Sequence, residues 1–440
     1  MNSRAAEAVA ELTARAFAKS SFAYLLLYIG RQPRSSRTAA YVLLYLGSFR
    51  QAITQPMTVF TSKNLYTPLR RIDDALVSVE NGAVVKVASR NGLETAPNKA
   101  AIDFGDCVIV PGFFDIHVHG GVNCDVMRGN ADEMKKFETF LARHGVTSYF
   151  PTTVTASQDA TLSALERLAN WIEAAEKDGG SRARPLGIHL EGPFLSHARR
   201  GVHPPVDLVE PSIAAFDKLW QAARGHVRML TIAPELNGAE EVIAEATKRG
   251  VFVSIGHSDA TLEQARRGVK AGAGHATHTF NAMRPFDHRA PGILGEVLTN
   301  NQLSADVIAD GIHVDPTVID LLFRAKGIEN FVLITDAISA TGMPDGRYML
   351  GTLEVELKDG RCTRDGNLAG SALTMDRAVR NVMKFAGLDL QQAARAASMN
   401  PAKVVGIKKG TIEPGADADF VVLTPTGEVR ATVVKGVVVQ

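Results

Sequence analysis

The chain has 440 residues, 45% of them apolar and 22% charged, which is ordinary for a globular enzyme and long enough for one large barrel plus a smaller domain. Forty-eight Lys and Arg nearly balance 47 Asp and Glu, so no global field draws in nucleic acid or a membrane surface, and an anionic ligand must be held by a local cluster. The three cysteines, Cys107, Cys124 and Cys362, are odd in number and scattered, which argues against a disulfide framework and suits a reducing cytoplasm.

Residues 1–56 differ from the rest. They hold four of the seven tyrosines (Tyr24, Tyr28, Tyr41, Tyr45) and only two acidic residues, Glu7 and Glu11, against seven Lys or Arg. AYLLLYIG at Ala23–Gly30 returns as AYVLLYLG at Ala40–Gly47, across the basic stretch GRQPRSSR. No run reaches the roughly 18 to 20 apolar residues of a membrane span. The pattern of a secretory signal, with a basic start, one apolar core and a small-residue cleavage site, is not evident. The expectation is an N-terminal extension that is disordered or reflects a mis-assigned start, with translation opening at or near Met57. A peripheral-membrane or targeting segment is the competing reading.

From Met57 the organisation is regular. MTVFTSKNL and ALVSVENGAVVKVAS read as strands, with Asn81-Gly82 between alternating apolar positions marking a hairpin. The pattern then changes to strands and helices in alternation. The strand-like runs are VIVPGFFDIHVH, GVTSYFPTTVT, RPLGIHLEG, VRMLTIAP, GVFVSIGHS, AGHATHTFNAM, LSADVIADGIHV and NFVLITDA. Between them lie helical stretches such as ADEMKKFETFLARHG, which ends at Gly145 as a helix stop would. Eight such runs predict an α/β fold, a (β/α)8 TIM-type barrel over residues 109–395. The tail returns to strands and turns, so a small β-sandwich domain built from both chain ends, 57–108 and 396–440, is expected beside the barrel. A doubly wound sheet is the alternative, but it offers one crevice in place of a ring of strand ends.

Six metal-capable side chains end these runs: His117 and His119, Glu191, His257, His278 and Asp336. In a parallel barrel the strand C-termini converge on one mouth, so such residues meet. Imidazoles with two carboxylates suit a divalent ion, zinc first. His117 and His119 are two apart on a strand and share one face. Taken singly, each has an ordinary reading: packed histidines, a buried salt bridge at Glu191, a helix N-cap at Asp336. Together, Glu191, His257 and His278 make a three-ligand set with one open position. The fourth run has no lysine, which argues against a carboxylated lysine between two metals and leaves Glu191 as the natural bridge. Asp336 is read as a base for water, and His189, on the face of Glu191, as either a support or a satisfied core histidine. The stretch NAMRPFDHRAPG sets Arg284, His288 and Arg289 close together, with His313 from the next strand end. Arginine can grip phosphate oxygens in a two-pronged way. Arg284 and His288 are read as a solvated loop, and His144, His197 and His226 as surface or structural.

With these residues in view the sequence resembles the N-acetylglucosamine-6-phosphate deacetylases of the amidohydrolase superfamily, over essentially Met57 to Gln440. PGFFDIHVHG, HLEGPF, GHSDAT, THTFNAM, DGIHV, ITDA and LAGSALTM stand in the family's order. The resemblance implies that Glu191, His257 and His278 are the principal metal ligands, with His117 and His119 available for a second ion, and that Asp336 is the catalytic acid/base. It implies substrate contacts at Val202 and His203, with His203 at the carbonyl, and at Asn281 and Ala282. Arg289 and His313 would bind the phosphate, and Leu368, Ala369 and Gly370 would form a loop over the substrate. The cofactor implied is a divalent metal, zinc first with iron, cobalt or manganese as alternatives, one ion with a second feasible. The partners implied are a phosphosugar substrate and a second copy in a homodimer, with no nucleic acid and no membrane for the folded domain. Two other readings stand beside it. One is another deacetylase or cyclic-amide hydrolase, including one for N-acetylgalactosamine 6-phosphate. The other is a non-catalytic scaffold, against which the presence of all six metal-capable residues argues. The first 56 residues have no counterpart in the family pattern.

Overall fold

A computed structural model describes residues 57–90, 101–176 and 181–439; the expected N-terminal extension lies outside the described residues.

Eight strands from the two chain ends form one mixed sheet. Its path runs Val437–Val439, Val429–Val434, Phe420–Leu423, Val108–Pro111, Thr58–Tyr66, Arg71–Glu80 and Ala83–Ser89, with Ala101–Asp103 paired to Thr58–Tyr66. The Asn81-Gly82 hairpin is present, with both residues at positive φ (51° and 77°), as a two-residue turn matched to strand twist requires. The sheet curls on itself. Ala418 N–H donates to Gly82 O, and Val84 N–H to Ala416 O, each at 2.9 Å. The curl encloses a core in which Phe60 meets Phe420 edge-on at 5.0 Å, packed with Val77, Ile109 and Val422.

Sheet membership passes from this body to the barrel at Gly112. The run VIVPGFFDIHVH is therefore two strands, Val108–Pro111 in the small sheet and Phe113–Val118 in the barrel. A side chain at Gly112 would place Cβ 2.2 Å from Thr147 Oγ1, so the chain crosses over there only without one. At the other end, the short helix Met399–Val404 lies against the first and last barrel strands.

Each of the eight expected runs supplies one barrel strand: Phe113–Val118, Val146–Thr153, Ile188–Glu191, Val227–Ile232, Phe252–Ile255, His275–Ala276, Ser304–Ile308 and Phe331–Ile334. Neighbours pair in parallel in that order. The ring closes between first and last, where Asp336 N–H donates to His117 O at 2.9 Å and His119 N–H to Ala337 O at 2.8 Å. Ile188, Leu190, Met229, Val307 and Leu333 are fully buried, which is why the runs read as continuously apolar: parallel strands are covered on both faces. The helix Ala131–Arg143 starts with a reciprocal cap between Asn130 and Glu133, buries Met134, Phe137 and Leu141, and stops before Gly145 at φ 85°.

One element goes beyond the expectation. After the eighth strand the chain makes a four-stranded antiparallel sheet, Gly346–Leu350, Leu353–Lys358, Arg361–Arg364 and Asn367–Leu368, before the helix Met375–Phe385. It returns the chain to the barrel mouth, where Ser371 N–H donates to Asp336 O at 2.8 Å. Among the described residues no helix is long and apolar enough to cross a membrane.

Candidate metal centre and active site

The six side chains leave the barrel at the same end of five strands, His117 and His119 sharing the first. Glu191 is the last residue of its strand, and His257, His278 and Asp336 each lie two residues beyond theirs. These three adopt left-handed backbone, with φ of 48°, 30° and 51°. Such conformations cost non-glycine residues about 1–3 kcal/mol and gather where function fixes a side chain.

Glu191 is the hub. Its Oε1 lies 3.0 Å from His278 Nε2, 3.2 Å from His257 Nε2 and 3.3 Å from His117 Nε2. Its Oε2 lies 3.3 Å from His119 Nε2 and 3.5 Å from His203 Nε2. Asp336 Oδ1 stands 3.1 Å from His119 Nε2 and 3.5 Å from His117 Nε2. Two groups of three result, Glu191–His257–His278 and His117–His119–Asp336, each with donor atoms within 4.8 Å of one another and all buried.

The ring nitrogens show what the space suits. His257 Nδ1 faces the Arg199 carbonyl at 2.9 Å and His119 Nδ1 faces the Thr152 carbonyl at 3.0 Å, so both Nδ1 atoms carry hydrogen. In the neutral rings both Nε2 lone pairs then point inward, and His257 Nε2 is only 3.0 Å from His278 Nε2. Lone pairs and carboxylate oxygens converging this closely in a buried site repel unless positive charge sits among them. The donor set therefore fits a divalent cation.

The electrostatics agree. Burial works against a charged His119, but the Asp336 and Glu191 carboxylates outweigh it and push the ring up to about 10. His278 is likewise disfavoured by burial yet raised to about 9, chiefly by Glu191. At His257 burial prevails over Glu191 and pulls the ring down to about 4. Burial raises Glu191 and Asp336 too, but the surrounding histidines, His117 foremost, hold both carboxyls below their ordinary values, Glu191 well below. In the metal-free site the two carboxylates therefore favour protons on His119 and His278, and a cation competes with those protons for the same nitrogens.

Residues that sequence reasoning passed over complete the site. Thr155 N–H and Oγ1 both face His203 Nδ1, at 3.2 and 2.8 Å, so Nδ1 accepts and the hydrogen sits on Nε2, pointing at the centre. Asp306 takes the His278 N–H, and its other oxygen meets His275 at 2.9 Å. Asp115, which burial raises to about 7, accepts from Thr335 Oγ1 at 2.6 Å across the closing seam. A carboxylate in the middle of an apolar run, as in LSADVIAD, was the available signal. His189 stands behind the centre, edge-on to His117 at 4.6 Å, with Nε2 at 2.8 Å from Thr231 Oγ1; burial keeps it neutral.

The remaining expected contacts surround this core. Asn281 Nδ2 donates to His278 O at 3.1 Å, and Ala282 sits at φ 50° with its carbonyl accepting from Ser258 N–H at 3.0 Å. Val202 is partly buried against the core of the inserted sheet. His313 is held through Nδ1 by Asp310 Oδ2 at 2.6 Å, and Arg289 is exposed, its N–H on Asp287 Oδ1 at 2.8 Å. Among the described residues, no hydrogen bond or ion pair links either to the six. Leu368 ends the inserted sheet, Ala369 N–H donates to Cys362 O at 3.0 Å, and Gly370 follows at φ 61°. A Cβ at Gly370 would lie 2.3 Å from Ile338 Cγ2 and 3.1 Å from Asp336 O, so the loop presses directly on the backbone of Asp336. Arg284 is not a solvated loop residue: it pairs with Asp259 at 3.1 Å. His288 is exposed, while His144 pairs with Asp376 at 2.9 Å and His226 with Glu173 at 3.2 Å. The thiols of Cys124 and Cys362 are buried, which pushes each up to about 12.

Comparison with known proteins gives the following. Residues 108–439 match the model of the amidohydrolase family. The N-acetylglucosamine-6-phosphate deacetylase of Bos taurus is 40% identical over 353 residues, covering 76% of this chain and 84% of that protein. The N-acetylgalactosamine-6-phosphate deacetylase of Escherichia coli O157:H7 is 36% identical over 369 residues, covering 83% of this chain and 94% of that protein. Among solved structures, a variant N-acetyl-D-glucosamine-6-phosphate deacetylase from Mycobacterium smegmatis, in complex with N-acetyl-D-glucosamine-6-phosphate, superimposes with a TM-score of 0.82. Its identity is 34%, over 88% of this chain and 100% of that one.

Proposed function

The chain belongs to the amidohydrolase family, and from that premise we propose that it hydrolyses the acetamide of N-acetyl-D-glucosamine 6-phosphate, giving D-glucosamine 6-phosphate and acetate. The observation that carries the reading is the convergence of four histidines on Glu191 or Asp336 at one buried point beside His203.

Glu191, His257 and His278 would hold a divalent ion, zinc by preference of the donor set, with iron, cobalt or manganese as alternatives. His117, His119 and Asp336 would hold a second ion, and Glu191 lies within reach of both histidines. When bound, the ion supplies a Lewis acid for the amide carbonyl and acidifies the water next to it. Asp336, ionised by its histidine neighbours, takes the proton of the attacking water and then delivers it to the amide nitrogen, so that the amine leaves as the carbon–nitrogen bond breaks. His203 donates from Nε2 to the developing oxyanion, because Thr155 has fixed its tautomer. Arg289 and His313 supply the positive charge for the 6-phosphate that the balanced chain total does not. Val202, Asn281, Ala282 and the Leu368–Gly370 loop enclose the sugar. The free thiols fit a reducing compartment, and we place the protein in the cytoplasm as a homodimer.

Rates on N-acetylglucosamine with and without its 6-phosphate, alongside N-acetylgalactosamine 6-phosphate and N-acetyl amino acids, test the proposal. The phosphorylated glucosamine is expected to be preferred over the free sugar by about 100-fold or more in kcat/KM, roughly 3 kcal/mol, the worth of one or two charge-assisted bonds. Arg289→Ala should remove most of that preference. Equal rates on both sugars, or faster turnover of an N-acetyl amino acid, would contradict it.

A further inference from the structure

Four loops at the barrel mouth are tied together at Asp259 and its neighbour Ser258, residues to which the reaction above gives no part. Asp259 lies two residues after His257. Its Oδ1 accepts from Arg199 Nε at 2.8 Å and its Oδ2 from Arg284 Nη2 at 3.1 Å. Its own N–H donates to Glu235 Oε1 at 2.6 Å, and the adjacent Ser258 Oγ donates to Glu235 Oε2 at 2.7 Å. Arg199, Glu235, Asp259 and Arg284 follow the third, fourth, fifth and sixth barrel strands respectively. The network therefore crosses the rim beside Glu191, His257 and His278.

The turn carrying Arg199 is the one that presents His203. It is fastened to the fifth loop at three further points. Ser196 N–H donates to His257 O at 3.0 Å, the Arg199 carbonyl receives His257 Nδ1–H at 2.9 Å, and Gly201 is so near that a Cβ would stand 3.4 Å from His257 Cε1. The ion pairs themselves are poor candidates for stabilising the fold. The side chains of Arg199, Asp259 and Arg284 are 33%, 28% and 33% exposed, and ion pairs with that much water access contribute little. Their geometry carries more information than their energy: Asp259 offers one oxygen to each of two guanidinium groups that stand on two different loops.

We propose that Asp259 is a positioning residue that clamps the His203 turn, through Arg199, against the loops bearing His257 and Asn281, and so sets the reach of His203 to the reacting carbonyl. The role of His203 rests on the deacetylase reading; the clamp itself does not. A misplacement of about 1 Å in such a group costs on the order of 100-fold in rate. Asparagine at 259 retains one acceptor and can keep one of the two arginines, so Asp259→Asn is expected to fall between wild type and Asp259→Ala.

Two measurements on the full-length, metal-loaded protein decide it. In Asp259→Ala, the amides of Ser196, Arg199 and His203, all hydrogen-bonded within or from the turn, should exchange with solvent about three- to tenfold faster, while strand amides such as Val253 and Leu230 keep their protection. Turnover should fall about 10- to 100-fold in Asp259→Ala, yet the same substitution in a His203→Asn background should cost less than about threefold. Unchanged protection of the turn, or losses that multiply in the double variant, would overturn the clamp. Should Asp259→Ala not fold, Arg199→Ala breaks the same link from the turn's side and is read by both measurements. A wild-type protein inactive on the phosphosugar would refute the deacetylase reading, and the exchange data would still decide the clamp.

Discussion

Asp336→Asn is expected to keep its fold and its metal and to lose about 10³-fold in turnover, roughly 4 kcal/mol, the usual worth of a general acid/base that acts twice. The substitution is close to isosteric. The backbone bonds that hold the position, Asp336 N–H to His117 O and Ser371 N–H to Asp336 O, do not depend on the side chain, and asparagine tolerates the left-handed φ of 51° better than most residues. What the variant lacks is a site that can take a proton. Glu191, His257 and His278 are untouched, so metal analysis should still give about one ion per chain. Near-normal turnover would refute the role of Asp336, and loss of metal in step with activity would make it a ligand before anything else.

The second large effect belongs to Glu191. It faces all four histidines of the two three-residue groups, with His117, His257 and His278 on one oxygen and His119 on the other, where His203 joins it. Glu191→Gln removes the charge while keeping the volume. Metal content should fall well below that of the wild type, and turnover should drop by about 10³-fold or more, because the Lewis acid goes with the carboxylate. The imidazoles offer a second readout. Glu191 is the chief group raising His278 to about 9, so in the metal-free variant that ring should titrate lower, which NMR of the histidine resonances would follow. Wild-type metal content with wild-type turnover would remove Glu191 from the centre.

Much of this molecule is legible in its sequence, for physical reasons that also explain the remainder. The barrel strands show because parallel strands buried on both faces must be apolar throughout, and a histidine or carboxylate at the end of such a run stands out against it. The Asn81-Gly82 turn shows because few other dipeptides accept two positive φ values. The passage between sheets at Gly112 does not show, since apolar strand continues on both sides of it. The inserted sheet was overlooked although LEVELK alternates as a half-buried strand should, with Leu353, Val355 and Leu357 buried and Glu354, Glu356 and Lys358 exposed. Its strands are short and the run of eight barrel strands was already complete. Thr152 and Thr155 were invisible for another reason: in GVTSYFPTTVT a threonine is good strand material, and nothing marks the one whose hydroxyl faces His203. Arg284 illustrates the limit of reading charge by neighbourhood, for its partner Asp259 is 25 residues away in sequence.

The most direct test of the whole account is turnover of N-acetylglucosamine 6-phosphate by chelator-stripped protein as zinc is added back. The account predicts almost no activity at the start and a rise that saturates at one or two ions per chain, steeper at alkaline pH as His119 and His278 give up the protons that compete with the ion. Stripped protein that already works at full rate, with no response to added zinc, iron, cobalt or manganese, would contradict it.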